Sequence, residues 1–161
     1  MQPLQTFIEC SDQGYYRRLA RFAVVLRLRL LFLVYAAGVL AVTVVPVRAF
    51  DYWGQVPWQA MIRWVPFVVD PLSMTLNVVM FVPFGVLVPL LRQWAGATAT
   101  RLGLLALGAS ASIELTQLLL DITLGSRRTV DVNDLIANTG GALIGLWLLR
   151  RARREDKALA G

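Results

Sequence analysis

Apolar residues in this chain run in long unbroken stretches, unlike the alternating or every-third-residue patterns of a water-soluble fold. A helix that crosses a bilayer needs roughly 20 mostly apolar residues. Four windows reach or approach that length: about 24–45, closed by Pro46, then 72–91, 102–124 and 130–149. In the last the apolar run proper is 135–149, so Val130–Asp134 is expected to form its first helical turn. The pattern predicts an all-α membrane protein, a bundle of four transmembrane helices forming one domain over 1–161. Between the first two windows, about 47–71, Tyr52, Trp53, Trp58, Trp64 and Phe67 predict an aromatic segment in the headgroup layer. The first apolar run lacks a small-residue exit, so a cleavable signal peptide is not expected.

Composition strengthens this picture. With 57% hydrophobic residues and a mean hydropathy of +0.61, a soluble domain of 161 residues could not hide its apolar surface in one core. Cys10 is the only cysteine and histidine is absent. Internal disulfides, Ser-His and Cys-His nucleophiles and histidine-ligated metals are thereby excluded, and neither metal nor cofactor is implied. The net charge of +6 is explained by placement. Twelve of the 16 basic residues fall on one side of the predicted membrane. They are Arg17, Arg18, Arg21, Arg27 and Arg29, then Arg92 and Arg101, then Arg150, Arg151, Arg153, Arg154 and Lys157. Both termini are therefore expected in the cytoplasm. The basic residues read as topology and contact with anionic lipid, and no nucleic-acid partner is expected.

The spans are not plain anchors. In the third, Ser110, Glu114, Gln117 and Asp121 share one helical face. In the fourth, Asp131, Asp134, Asn138, Gly141 and Gly145 do the same, and in the second Asn77, Phe81 and Gly85. Pro83 and Pro89 each remove a backbone donor from the second span and should loosen it. A charged side chain at mid-bilayer costs about 2.5 to 3.5 kcal/mol, against about 0.3 to 0.6 returned by each leucine-like residue. Glu114 must therefore face protein or water. At 1.5 Å rise per residue, Asn77 lies about 8 Å, Gln117 about 10 Å and Glu114 about 15 Å from the outer ends of their spans. Asp134 and Asn138 begin the fourth span at that same face. These groups are expected to enclose one outward-opening acidic, amide-lined cavity, with Arg128 at its rim to pair with Asp131 or meet an anionic ligand.

Three blocks carry a resemblance. They are N-x-x-x-F-x-P-x-G at Asn77, Phe81, Pro83 and Gly85, and a variant S-x-x-E-x-x-Q at Ser110/Ser112, Glu114 and Gln117. The last is R-x-x-D-x-x-D-x-x-x-N-x-x-G-x-x-x-G at Arg128, Asp131, Asp134, Asn138, Gly141 and Gly145. In residue type, order and membrane position, 72–149 resembles the VanZ-like family of small bacterial membrane proteins. The resemblance implies a multi-pass protein of the bacterial cytoplasmic membrane and, through the family's namesake, a link to teicoplanin susceptibility.

Three functions are compatible with these residues. In the first, a non-enzymatic envelope protein binds a lipid or amphipathic molecule. Asn77, Glu114, Gln117, Arg128, Asp134 and Asn138 contact the ligand, and Glu114 is a buried, proton-exchanging acid. In the second, a membrane enzyme modifies a lipid-linked envelope precursor. Glu114, Asp131 and Asp134 are its candidate catalytic groups, a carboxylate is its general base, and Asp131 and Asp134 could hold a divalent cation. In the third, a structural subunit oligomerises through the glycine face of the fourth span. In all three Phe81, Pro83, Gly85, Gly141 and Gly145 serve helix packing. Intramembrane amides also join helices, at about 0.6 kcal/mol per contact. Three acids at one depth repel each other, and packing alone does not account for them.

Overall fold

A computed structural model describes residues 2–44, 62–66, 70–91, 98–124 and 130–159. Within them the order is α1 (Gln2–Val44), β1 (Ile62–Arg63), α2 (Pro71–Leu91), α3 (Ala99–Leu124), β2 (Val130–Asp131) and α4 (Val132–Leu159). All four helices contain a segment long and apolar enough to cross a membrane. The chain is an all-α, four-helix membrane protein. Its 43-residue first helix rises about 64 Å, twice the roughly 30 Å of hydrocarbon. Only Phe22–Thr43 is its apolar part.

Local chemistry fixes where the helices begin. Asp70 caps α2, its Oδ2 accepting the Ser73 N–H at 3.1 Å, and Pro71 occupies the first helical position, where a missing N–H costs nothing. Thr98 caps α3 through Oγ1 and the Arg101 N–H at 3.2 Å. Asp131 caps α4, its Oδ1 accepting the Asn133 N–H at 2.9 Å.

The fourth span departs from expectation at its start. Val130–Asp131 is not helical but a short strand, paired in parallel with Ile62–Arg63, with Ile62 opposite Val130 and Arg63 opposite Asp131. Helix begins only at Val132, because the two preceding residues give their backbone groups to the ladder and Asp131 supplies the cap. At the other end α4 continues past 149 to Leu159 as an exposed charged helix. There Arg151 pairs with Glu155 at 3.0 Å and lies over the Trp147 ring. Of the aromatic connection, Trp64 is exposed; Tyr52, Trp53, Trp58 and Phe67 lie outside the described residues.

Packing is closest between α2 and α4. A Cβ on Gly141 would fall onto the Val78 carbonyl, one on Gly145 onto the Val82 carbonyl, and one on Gly85 onto the Ala142 carbonyl. Both partners advance by four residues between the first two contacts, so the helices run parallel. Their backbones approach to a distance that only glycine permits. Phe81 is sealed at this seam with Ala106 of α3 and Ala142 of α4. The C-terminal end of α1 reaches α3 through Gln117, whose Nε2 donates to the Thr43 carbonyl at 2.8 Å. The starts of α2 and α4 and the ends of α1 and α3 therefore lie at one end of the bundle, joined there by the β1–β2 bridge.

Candidate functional site

The buried positions of α3 follow one stripe: Leu102, Ala106, Ser110, Glu114 and Gln117. Its first half is small and apolar and its second half polar, so the packed face turns hydrophilic as it nears the bridged end. Glu114 is 5% exposed, and its Oε2 accepts the Asp131 N–H at 3.2 Å. A carboxylate from mid-helix thus reaches across to the backbone that starts α4. Asp131 is also buried, and its Oδ1 takes the Asn133 Nδ2 at 2.7 Å in addition to the capping N–H. The Asn133 amide donates as well to the Val65 carbonyl at 3.1 Å, which fastens the residues just after β1 to the head of α4.

One turn along α4 the half-buried Asp134 carboxylate has the Asn77 carboxamide of α2 as its side-chain hydrogen-bond partner, with Asp131 and Arg63 as neighbouring charges. A turn further, Asn138 is 2% exposed and donates from Nδ2 to the Ser110 hydroxyl of α3 at 2.8 Å. Among the described residues the other arm of that carboxamide, Oδ1, has no partner, and neither has the buried Oγ1 of Thr139, the next residue in α4. A buried polar atom left unpaired costs about 1 to 3 kcal/mol.

Acids and amides of α2, α3 and α4 therefore meet in a layer two to three turns deep. Asn77, Glu114, Asp131, Asp134 and Asn138 belong to it. Gln117 lies at the same end of α3 but is turned to α1. Phe81 and Gly85 lie on the α2–α4 seam below the layer. Pro83 is half-buried within α2. Arg128 and the Asp121 side chain lie outside the described residues. Among the described residues, the positive charge that the structure sets beside the acids is Arg63, brought there by the β1–β2 pairing.

Sequence reasoning about the site passed over Asn133 and Arg63. Asn133 falls off the periodic face that marks Asp131, Asp134 and Asn138, and its signal is instead the D-x-N spacing of a capped helix start. Arg63 has no local signal, because its partner strand is distant in the chain. Among the described residues, no group of three or more acids or thiols converges as the ligands of one metal ion would.

The apolar groups also leave a cleft. A cavity of about 290 Å³ lies between α1, α2 and α3, with Phe32, Ala36, Phe84, Ala109 and Ile113 among its walls. It begins beside the polar layer: Ile113 and Thr116 adjoin Glu114 and Gln117 in α3, and Leu40 is one turn before Thr43.

Comparison with known proteins adds one assignment. No curated protein and no solved structure matches the chain. A model of the VanZ/LLP1 family matches residues 30–153, taking in the last third of α1, all of α2 and α3, and the membrane part of α4. With four membrane-crossing helices and more than half of its length matched, the chain belongs to the VanZ/LLP1 family.

Proposed function

We propose that this protein binds a lipid or amphipathic molecule of the bacterial cell envelope, holding its polar end at the layer of Asn77, Glu114, Asp134 and Asn138. The observation that carries the reading is Asn138: almost wholly buried, with one arm bonded to Ser110 and the other without a partner among the described residues, on the same face as Asp134. Packing alone has no need of an unpaired acceptor one turn from a carboxylate. Both groups accept hydrogen bonds, so the complementary ligand carries donors, hydroxyl or ammonium, in its polar part. Glu114 stands behind them, fixing the start of α4 through the Asp131 N–H. Arg63 at the rim supplies positive charge for an anionic group on the same ligand, and the sequence offers Arg128, between α3 and α4, as a second candidate for it.

The excess of basic residues on one side favours a cytoplasmic position for both termini, with the polar layer toward the extracytoplasmic leaflet, and the family resemblance supports a bacterial cytoplasmic membrane. A protein so placed meets lipid-linked envelope precursors from outside, and teicoplanin susceptibility is the cellular phenotype that the family's namesake suggests assaying. The glycine face of α4 is occupied by α2 of the same chain, which favours ligand binding over assembly through that face.

Native mass spectrometry of gently solubilised protein tests the proposal. A discrete lipid adduct is expected on the wild type and should fall several-fold in Asp134→Asn and Glu114→Gln. Bare protein in all three refutes the reading. Conversion of a defined lipid by purified protein would move the same residues to the enzymatic alternative.

A further inference from the structure

The polar layer accounts for one end of an amphipathic ligand, and the cleft between α1, α2 and α3 has a chemistry of its own. Its lining contains three hydroxyls, all turned to backbone. Tyr35 donates to the Met80 carbonyl at 2.8 Å, Ser112 to Gly108 and Thr116 to Ser112, each at 2.7 Å. What they leave facing the cavity is hydrocarbon and aromatic ring. The rings are held in tilted pairs, Phe32 with Tyr35 at 6.2 Å and Phe81 with Phe84 at 5.6 Å between centroids. At about 290 Å³, the space is roughly twice an apolar cavity of about 150 Å³ that takes up benzene. It therefore accommodates on the order of a dozen carbon atoms. Its α1 wall, from Phe32 to Leu40, rises about 12 Å, so the space is elongated along the helices.

We infer that this cleft seats one hydrocarbon tail of the envelope lipid whose polar end engages the neighbouring acid and amide layer. The inference rests on the function proposed above and adds where the tail goes. Every lining residue lies within a membrane-crossing segment, so the medium at the mouth of the cleft is the bilayer interior. There is no hydrophobic gain in moving a tail from lipid into such a groove. A tethered headgroup supplies the preference, by keeping one tail at high local concentration beside the cleft. Entry is from the side of α1. The most apolar window of α1 buries none of its residues, against 39% in α4. Among the described residues, α1 is tied to its neighbours by the Tyr35–Met80 bond within the cleft and by the bond from Gln117 to Thr43 beyond Leu40.

The test uses the full chain in phosphatidylglycerol vesicles doped with an analogue whose one tail carries a mid-chain diazirine. After irradiation, adducts are mapped by peptide mass spectrometry. Labelling of the Tyr35 and Ile113 peptide segments is expected to exceed that of lipid-facing Leu33 and Leu115 several-fold, resolved at the residue by fragmentation. Ala109→Phe, which fills the cleft from α3, should abolish the excess and leave Leu115 labelled; Ala36→Phe fills it from α1 and serves where the first variant does not fold. Even labelling of cleft and outer surface, an excess untouched by either variant, or crosslinked dimers in place of lipid adducts would overturn the inference. Even labelling combined with a mass-detected lipid lost in Asp134→Asn removes the tail seat and leaves the polar site standing. Cleft-selective labelling indifferent to Asp134→Asn keeps the seat and removes the headgroup reading.

Discussion

Replacing Gly140 or Gly141 with alanine adds the same methyl group at adjacent positions of α4, and the two variants are expected to move stability in opposite directions. A Cβ at Gly140 meets nothing within 4 Å. Alanine there gains helix propensity worth up to about 1 kcal/mol over glycine. A Cβ at Gly141 would land on the Val78 carbonyl of α2. The parallel helices must then part, and a gap of about 0.5 to 1 Å forfeits a quarter to a half of each van der Waals contact along the seam. Overpacking of this kind costs about 1 to 3 kcal/mol. The difference between the variants is thus roughly 2 to 4 kcal/mol, or about 30- to 700-fold in the unfolding constant. Reversible unfolding by SDS in mixed micelles, followed by tryptophan fluorescence, measures it. Gly145→Ala should behave as Gly141→Ala, because it meets the Val82 carbonyl. Equal stabilities for the Gly140 and Gly141 variants would refute the close parallel seam.

Other substitutions separate structural from functional roles. Glu114→Leu leaves the buried Asp131 N–H without its acceptor and should cost about 1 to 3 kcal/mol. Glu114→Gln retains an oxygen for that N–H and should stay within about 1 kcal/mol of wild type in the same titration. Asn133→Ala removes donors to the Val65 carbonyl and to Asp131; faster amide exchange at Ile62 and Arg63 is expected, with little change in α2. Tyr35→Phe deletes the bond to Met80 and should cost about 0.6 kcal/mol, the typical value for an interhelical hydrogen bond in a membrane. Cys10 should resist membrane-impermeant thiol reagents in intact cells and react after permeabilisation; reaction in intact cells would reverse the proposed orientation.

The helical skeleton was legible because the relevant signals are local and repeated. Asn77, Phe81 and Gly85 recur every fourth residue, and the structure turns that face of α2 to α4. The stripe through Ser110, Glu114 and Gln117 is legible for the same reason, since a polar group deep in an apolar run has to find protein. What periodicity cannot report is the partner. Gln117 shares a face with Glu114 yet bonds to Thr43, 74 residues away. Val130 and Asp131 continue a helical pattern but are drawn into a ladder with Ile62 and Arg63, which nothing nearby in the sequence encodes. The apolar cleft was equally invisible, because a residue lining it and a residue facing lipid belong to the same chemical class.

The parallel bridge also imposes an order on biosynthesis. Ile62 leaves the ribosome 68 residues before its partner Val130, a delay of roughly 3 to 14 s at about 5 to 20 residues per second. Through that interval β1 has no strand to pair with, and Glu114, already part of the third helix, awaits the Asp131 N–H that will donate to it. The closing step of assembly is therefore the arrival of α4, which brings Glu114 the Asp131 N–H and pairs β1 with β2 in one event. A nascent chain halted after Leu124 should be handled by the insertion machinery as an unfinished client, because Glu114 still lacks the Asp131 N–H that it accepts in the finished fold.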